Sequence, residues 1–170
     1  MAKLSKALFI GRFQPFHLGH LAIVQRIIKE QGGVIIAIGS SQESNTWENP
    51  FSAEERKKMI EACLQSEGIK EYSICFVPDL GRHDHWVEHV ARITGKIDVI
   101  YTGSALTKEL FSKAGYSIVD LPRIEEISAT MVREKLAKGE RIDKYVHKDV
   151  IALLKQINAH GRLKALYNRT

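Results

Sequence analysis

A chain of 170 residues is long enough for one domain with a substantial buried core, and 44% hydrophobic with 26% charged residues is ordinary for a soluble globular protein. No window approaches the roughly 18 consecutive apolar residues of a membrane span, and the N-terminus lacks the apolar core of a signal peptide, so the cytosol is the expected location. The net charge of +5 points to anionic partners; it is spread along the chain, thickening only at Arg162, Lys164 and Arg169, which suits a phosphate-rich small ligand and argues little for nucleic acid.

The first apolar run, Ala7–Ile10, predicts a strand ending at Gly11. Leu21, Val24, Ile27 and Ile28 then share one face of a predicted helix. Between them runs Gly11-Arg12-Phe13-Gln14-Pro15-Phe16-His17-Leu18-Gly19-His20. This spacing places His17 and His20 in the first helical turn, three apart and on one face. Free N–H groups and the helix dipole at that turn attract an anion, Arg12 adds a guanidinium, and Gly19 has no Cβ to block a ligand. The plain structural alternative makes His17 a helix cap and His20 a surface residue.

Val34–Gly39 predicts the second strand, and Ser52-Ala53-Glu54-Glu55 is a Ser-x-x-Glu capping box that starts the next helix. Ser73–Val77 predicts a third strand and residues 84–94 a helix. That helix carries His85-Trp86-Val87-Glu88-His89, literally the inverted zinc-peptidase string, with His83 nearby. A strand at Val99–Thr102, a helix over 104–114 and a strand at Ser117–Leu121 follow. Ser128 or Thr130 then caps a helix over 128–138, with Arg133 one turn on and able to grip phosphate oxygens; as an isolated string its commoner meaning is a cap and a solvated arginine. A last helix spans about 147–158, and residues 160–170 read as a loose basic tail. Cys63 and Cys75 lack metal-ligand spacing and read as small core residues.

Strands alternating with helices predict an α/β fold: a single Rossmann-like, doubly wound domain over residues 1–170, with a parallel sheet of about five strands. Ligands of such sheets sit beyond the carboxyl ends of the strands, at the switch point.

The stretch from Gly11 to His20, and Ile127-Ser128-Ala129-Thr130-Met131-Val132-Arg133, resemble the two signatures of the archaeal-type nicotinamide-mononucleotide adenylyltransferases, within the His-x-Gly-His nucleotidyltransferase superfamily. Asn49-Pro50-Phe51-Ser52-Ala53-Glu54-Glu55-Arg56 and Tyr101-Thr102-Gly103-Ser104 resemble two further segments of that family, and Asp79 with Trp86 match its acceptor pair. The resemblance implies AMP transfer from ATP to nicotinamide mononucleotide, giving NAD and pyrophosphate. It implies His17, His20, Arg12 and Arg133 at the reacting phosphates. Gly11, Phe13, Gln14, Gly19, Gly103, Ser128 and Thr130 would line the ATP site, and Asp79 and Trp86 would hold the nicotinamide. Mg²⁺ would arrive with the ATP and need no protein side chain; a homo-oligomer is implied, with no nucleic acid or membrane partner. The sequence departs from the family at Asn45, Ser104, Glu125, Glu126, Ile127 and Ala129, which touches the acceptor and adenine sides rather than the triphosphate residues. FMN or phosphopantetheine as acceptor, CTP as donor, a non-catalytic nucleotide sensor and a zinc peptidase are the competing readings.

Overall fold

The runs rich in Val and Ile become the strands of one sheet. A computed structural model describes residues 6–170. Its strands are β1 (Ala7–Gly11), β2 (Val34–Gly39), β3 (Tyr72–Val77), β4 (Val99–Thr102) and β5 (Ser117–Asp120). They pair in the order β3-β2-β1-β4-β5, all parallel. The chain winds outward from β1 to β3, then returns to the other side of β1 for β4 and β5. This is the expected doubly wound α/β topology, and its switch point lies between β1 and β4. All four residues of β4 are buried, as in parallel strands flanked on both faces.

The helices are α1 (Leu18–Gln31), α2 (Ala53–Ser66), α3 (Trp86–Thr94), α4 (Ala105–Lys113), α5 (Ala129–Ala137), α6 (Lys148–Gln156) and α7 (Ala159–Tyr167). Two compact units share them. The first consists of residues up to 11 with 23–41 and 71–123, and so holds the sheet, most of α1, α3 and α4. Its core joins Leu8, Ala37, Val77, Val90, Ile100 and Phe111, each at most 1% exposed. Burial of such side chains stabilises by roughly 1.5–3 kcal/mol apiece.

The second unit consists of residues 12–22, 42–70 and 124–170. Here α2 packs on α6, and α7 packs on α5 and α6. The capping box forms as its sequence predicts: Glu55 N–H donates to Ser52 Oγ at 3.2 Å, and Ser52 N–H donates to Glu55 Oε2 at 2.9 Å. Such a cap contributes about 1 kcal/mol.

Residues 160–170, expected to be a loose tail, correct that expectation by forming most of α7. Asn158 takes a left-handed conformation (φ 52°) and its side chain accepts from Gly161 N–H at 3.3 Å, capping the helix. Ala159 and Leu163 are then buried one turn apart. Among the described residues no helix is long and apolar enough to cross a membrane. Both cysteines are free; burial pushes the Cys63 thiol up to about 12 and raises Cys75 as well, so neither is an active thiolate.

Candidate active site

The His-x-Gly-His segment in the second unit opens α1 with a capping box made of imidazoles. His17 N–H donates to His20 Nδ1 at 3.1 Å, and His20 N–H donates to His17 Nδ1 at 3.3 Å. The rings stack with centroids 3.6 Å apart and planes 18° from parallel. This is the reciprocal pattern that Ser and Glu make elsewhere, with His17 at the cap and His20 three residues on. Both Nδ1 atoms act as acceptors, so in the neutral rings both protons sit on Nε2. Burial lowers the His17 pKa from 6.5 to about 4, and burial, then the His17 charge, pushes His20 well below its ordinary value. The pair is therefore neutral at pH 7, with its ring protons on Nε2. The cap occupies only Nδ1 of each ring, so it does not exclude a ligand-binding role.

The expectation that free N–H groups of this turn receive the anion is narrowed to the Gly19 amide. His17 and His20 N–H are taken by the imidazoles, and Leu18 N–H donates to Tyr145 O at 2.9 Å. Gly19 is also needed for a different reason than ligand approach. A Cβ there would fall 2.9 Å from His17 Cε1, inside contact distance, so only glycine leaves room for the ring.

Phe13 and Gln14 are buried, at 2% and 1% exposure. The Gln14 amide is committed at both ends: Nε2 donates to Phe51 O and Oε1 accepts from Phe51 N–H, each at 2.9 Å. Phe13, at φ 54°, packs edge-on against His20 with centroids 4.9 Å apart, and Phe16 stacks on the same ring at 5.4 Å. These side chains hold the site rather than face a nucleotide.

The second motif returns to the first through Arg133. This side chain is 4% exposed; its Nη1 donates to Gln14 O at 3.0 Å, 119 residues away, and its Nη2 donates to Thr130 Oγ1 at 3.3 Å. Its Nε has no partner among the described residues, and its guanidinium lies 5.7 Å from the centroid of the Trp47 ring. Burial, then the charge of Arg12, lowers its pKa to about 10, with Glu48 and Glu134 opposing. It is thus still a cation at pH 7. A buried charge with no carboxylate in ion-pair contact is costly in an empty protein, and an incoming anion would relieve it. Ser128 caps α5 by accepting from Met131 N–H at 3.1 Å, while the amides of Ala129 and Thr130 find no partner among the described residues. Two adjacent amides are thus open at the α5 terminus. The hydroxyls of Ser128 and Thr130 accept in these bonds and keep an O–H to donate.

In the first unit Gly11 ends β1 in register with Ile38, and Gly103 follows β4 where a Cβ would crowd Leu121 O at 3.3 Å. Asp79 and Trp86 line one open cavity of about 340 Å³ with Arg82, His83, Leu106 and Leu110. Trp86 is also packed on the core, edge-on to Phe111 at 5.6 Å, so one face of the residue is structural. A cavity of this size suits a small aromatic ligand. The His-x-x-Glu-His string is occupied otherwise: the His89 ring bonds Pro78 O at 3.0 Å, and His85 lies between Asp84 and Glu88. No group of three metal-ligating side chains forms among the described residues.

Two arginines of the second unit escaped the sequence reading. Arg56 is fully buried and donates to Ser52 O at 3.2 Å and to Arg12 O at 2.9 Å, fixing the backbone that carries Arg12. Arg162 of α7 clamps Glu55 at 2.7 and 2.9 Å and donates to Pro50 O at 3.0 Å. The polarity of Arg56 on an otherwise buried helix face was a usable signal; Arg162 had none before α7 was known to be a helix.

Residues 8–135 match the cytidylyltransferase-like family. A nicotinamide-nucleotide adenylyltransferase of Thermoplasma volcanium is 40% identical over 166 residues, covering 96% of this chain and 93% of its own. One from Archaeoglobus fulgidus is 37% identical over 171 residues, covering 96% and 98%. Among solved structures, a bifunctional NMN adenylyltransferase/ADP ribose pyrophosphatase of Francisella tularensis, crystallised with AMP and a Mn ion, superposes with a TM-score of 0.77 at 28% identity. That match covers 96% of this chain and 52% of the bifunctional protein, so this chain spans about half its length.

Proposed function

This chain belongs to the cytidylyltransferase-like family, alongside the archaeal nicotinamide-nucleotide adenylyltransferases, and on that premise we propose that it joins AMP from ATP to nicotinamide mononucleotide, giving NAD and pyrophosphate. The observation that carries the donor half is Arg133, a buried cation with no carboxylate in ion-pair contact, tied by its Nη1 to the loop that leads into the histidine pair. In this reading a phosphate oxygen of the mononucleotide attacks the α-phosphorus of ATP in line. The bond to the β-phosphate oxygen breaks and pyrophosphate leaves, with no covalent enzyme intermediate. Such transfer needs alignment and stabilisation of spreading negative charge, which fixed donors supply.

His17 and His20 would donate Nε2–H to α- and β-phosphate oxygens. Arg12, Arg133, Ser128 and Thr130 would take the β- and γ-phosphates. Asp79 and Trp86 would receive the nicotinamide in their cavity, the indole against the cationic ring. The triphosphate residues are basic or neutral and offer no carboxylate cluster, so Mg²⁺ would belong to the ATP, held by phosphate oxygens and water. The proposal extends to a single nucleotidyltransferase domain working in the cytosol as a homo-oligomer; light scattering of the purified chain reads the assembly.

The test is pyrophosphate release by the purified chain with ATP and Mg²⁺ against nicotinamide mononucleotide, FMN and phosphopantetheine, with CTP as a second donor. Release with the nicotinamide nucleotide and ATP alone is expected; release only with another pair reassigns the acceptor or donor. His20→Ala is expected to lower turnover about 10²-fold or more, the size of one lost transition-state donor. Near-normal turnover in that variant sinks the assignment of the pair.

A further inference from the structure

The guanidinium of Arg133 faces an aromatic ring on a loop that neither phosphate motif includes. The geometry points to Trp47 as a positioning residue for Arg133, acting on the triphosphate half of the site; this rests on the reading of that site given above.

Trp47 and Glu48 are the central residues of a tight turn. Thr46 N–H donates to Asn49 O at 3.3 Å, Asn49 N–H donates to Thr46 Oγ1 at 3.0 Å, and Asn45 N–H donates to Pro50 O at 3.4 Å. The turn presents the Trp47 ring to the Arg133 guanidinium at 5.7 Å, within the range where a ring face attracts a cation. Trp47 is backed by Tyr167 in the last turn of α7, centroids 5.3 Å apart and planes at 58°. The same helix pins the far end of the loop, through Arg162 to Pro50 O and to Glu55. Tyr167, Trp47 and Arg133 thus form a run of three stacked or facing groups, all within the second unit.

The choice of an aromatic partner has a chemical consequence. Arg133 donates only to a carbonyl and a hydroxyl, and its Nε is unpartnered. A carboxylate in the place of Trp47 would fix the guanidinium equally well but would neutralise it and compete with a phosphate. A ring face holds the planar group through its quadrupole and carries no net charge. Trp47 therefore keeps Arg133 oriented without adding a further carboxylate to the charges of Glu48 and Glu134 that already act on it.

The test is calorimetric titration of the full chain with Mg-ATP, and separately with nicotinamide mononucleotide, in Trp47→Phe, Trp47→Leu and Arg133→Ala. Leucine keeps apolar bulk against Tyr167 and removes the quadrupole. Its Kd for ATP is expected to rise roughly 5- to 10-fold, while phenylalanine stays within about 2-fold of the parent. The Kd for the mononucleotide and kcat at saturating ATP should both hold within about 3-fold, so that the loss appears in KM. Leucine binding ATP as tightly as tryptophan, or phenylalanine no better than leucine, overturns the proposal. Should the Leu variant not fold, Tyr167→Leu tests the same chain from behind: ATP affinity falls by about 2- to 3-fold, and an unchanged affinity refutes it. Arg133→Ala separates the two levels. If it binds ATP normally, the triphosphate reading itself falls; if it loses ATP while Trp47→Leu does not, only the role of Trp47 falls.

Discussion

Two imidazoles that cap a helix through Nδ1, as His17 and His20 do, are fixed in tautomer by the backbone. Their titration follows. His17 has a folded pKa of about 4 against an ordinary 6.5, so the unfolded chain takes up the proton first on acidification. Stability is complete above about pH 6.5 and is lost as pH falls from there toward 4, by about 3 kcal/mol for this residue. Urea unfolding at pH 7 and pH 4.5 measures the loss, and His17→Asn, a good cap without a titrating ring, should remove the share of His17 and leave that of His20. Gly19→Ala is expected to displace the His17 ring, because a Cβ would meet Cε1 at 2.9 Å. Turnover should fall roughly 10- to 100-fold, since a displaced donor forfeits much of what one such group supplies, while thermal stability changes little. Normal turnover would mean the ring can yield. At this scale the motif residues were legible in the sequence, but several of their partners were not. Gln14 and Gly19 stand in the motif, yet their neighbours, Phe51 and the His17 ring, emerge only once the chain is folded. A linear reading supplies spacing along one helix and is silent on side-chain contacts between segments 37 residues apart.

Among the elements, strands and most helices were legible to within a residue or two of their ends, because apolar periodicity and caps such as Ser52 and Ser128 are local signals. Helix α7 was not. Its apolar positions, Ala159, Leu163 and Leu166, keep helical spacing, but Gly161, Arg162 and Lys164 between them read as a polar tail. The cap at Asn158 relies on a left-handed residue, which spacing does not reveal. The His-x-x-Glu-His string failed in the opposite sense: the helix exists, but His89 turns to the Pro78 carbonyl. A helix that clamps Glu55 should matter to stability. Arg162→Ala removes a bidentate pair whose side chains are 25% and 23% exposed, between the exposed and buried cases, and is expected to cost about 2 kcal/mol by denaturant melt. A loss under about 0.5 kcal/mol would make the clamp incidental.

For the molecule as a whole, the strand order β3-β2-β1-β4-β5 could be anticipated only as a class. Alternation of strands and helices dictates a parallel sheet, but which strand lies beside β1 depends on crossovers that no local pattern encodes. The net charge of +5 has a measurable counterpart in the reaction. Because ATP is an anion and the excess is diffuse, raising ionic strength from roughly 0.05 to 0.5 M should raise KM for ATP several-fold and leave turnover at saturation unchanged. A KM indifferent to salt would confine the electrostatics to Arg12 and Arg133 in close contact with phosphate. The chain has two tryptophans, and they fall one to each unit: Trp47 beside the Arg133 guanidinium, Trp86 in the wall of the cavity with Asp79. The protein therefore carries its own pair of optical labels. Emission of a Trp86→Phe variant records the surroundings of Arg133 alone and that of a Trp47→Phe variant the Asp79 cavity alone, so a substrate that reaches either place can be followed without any dye.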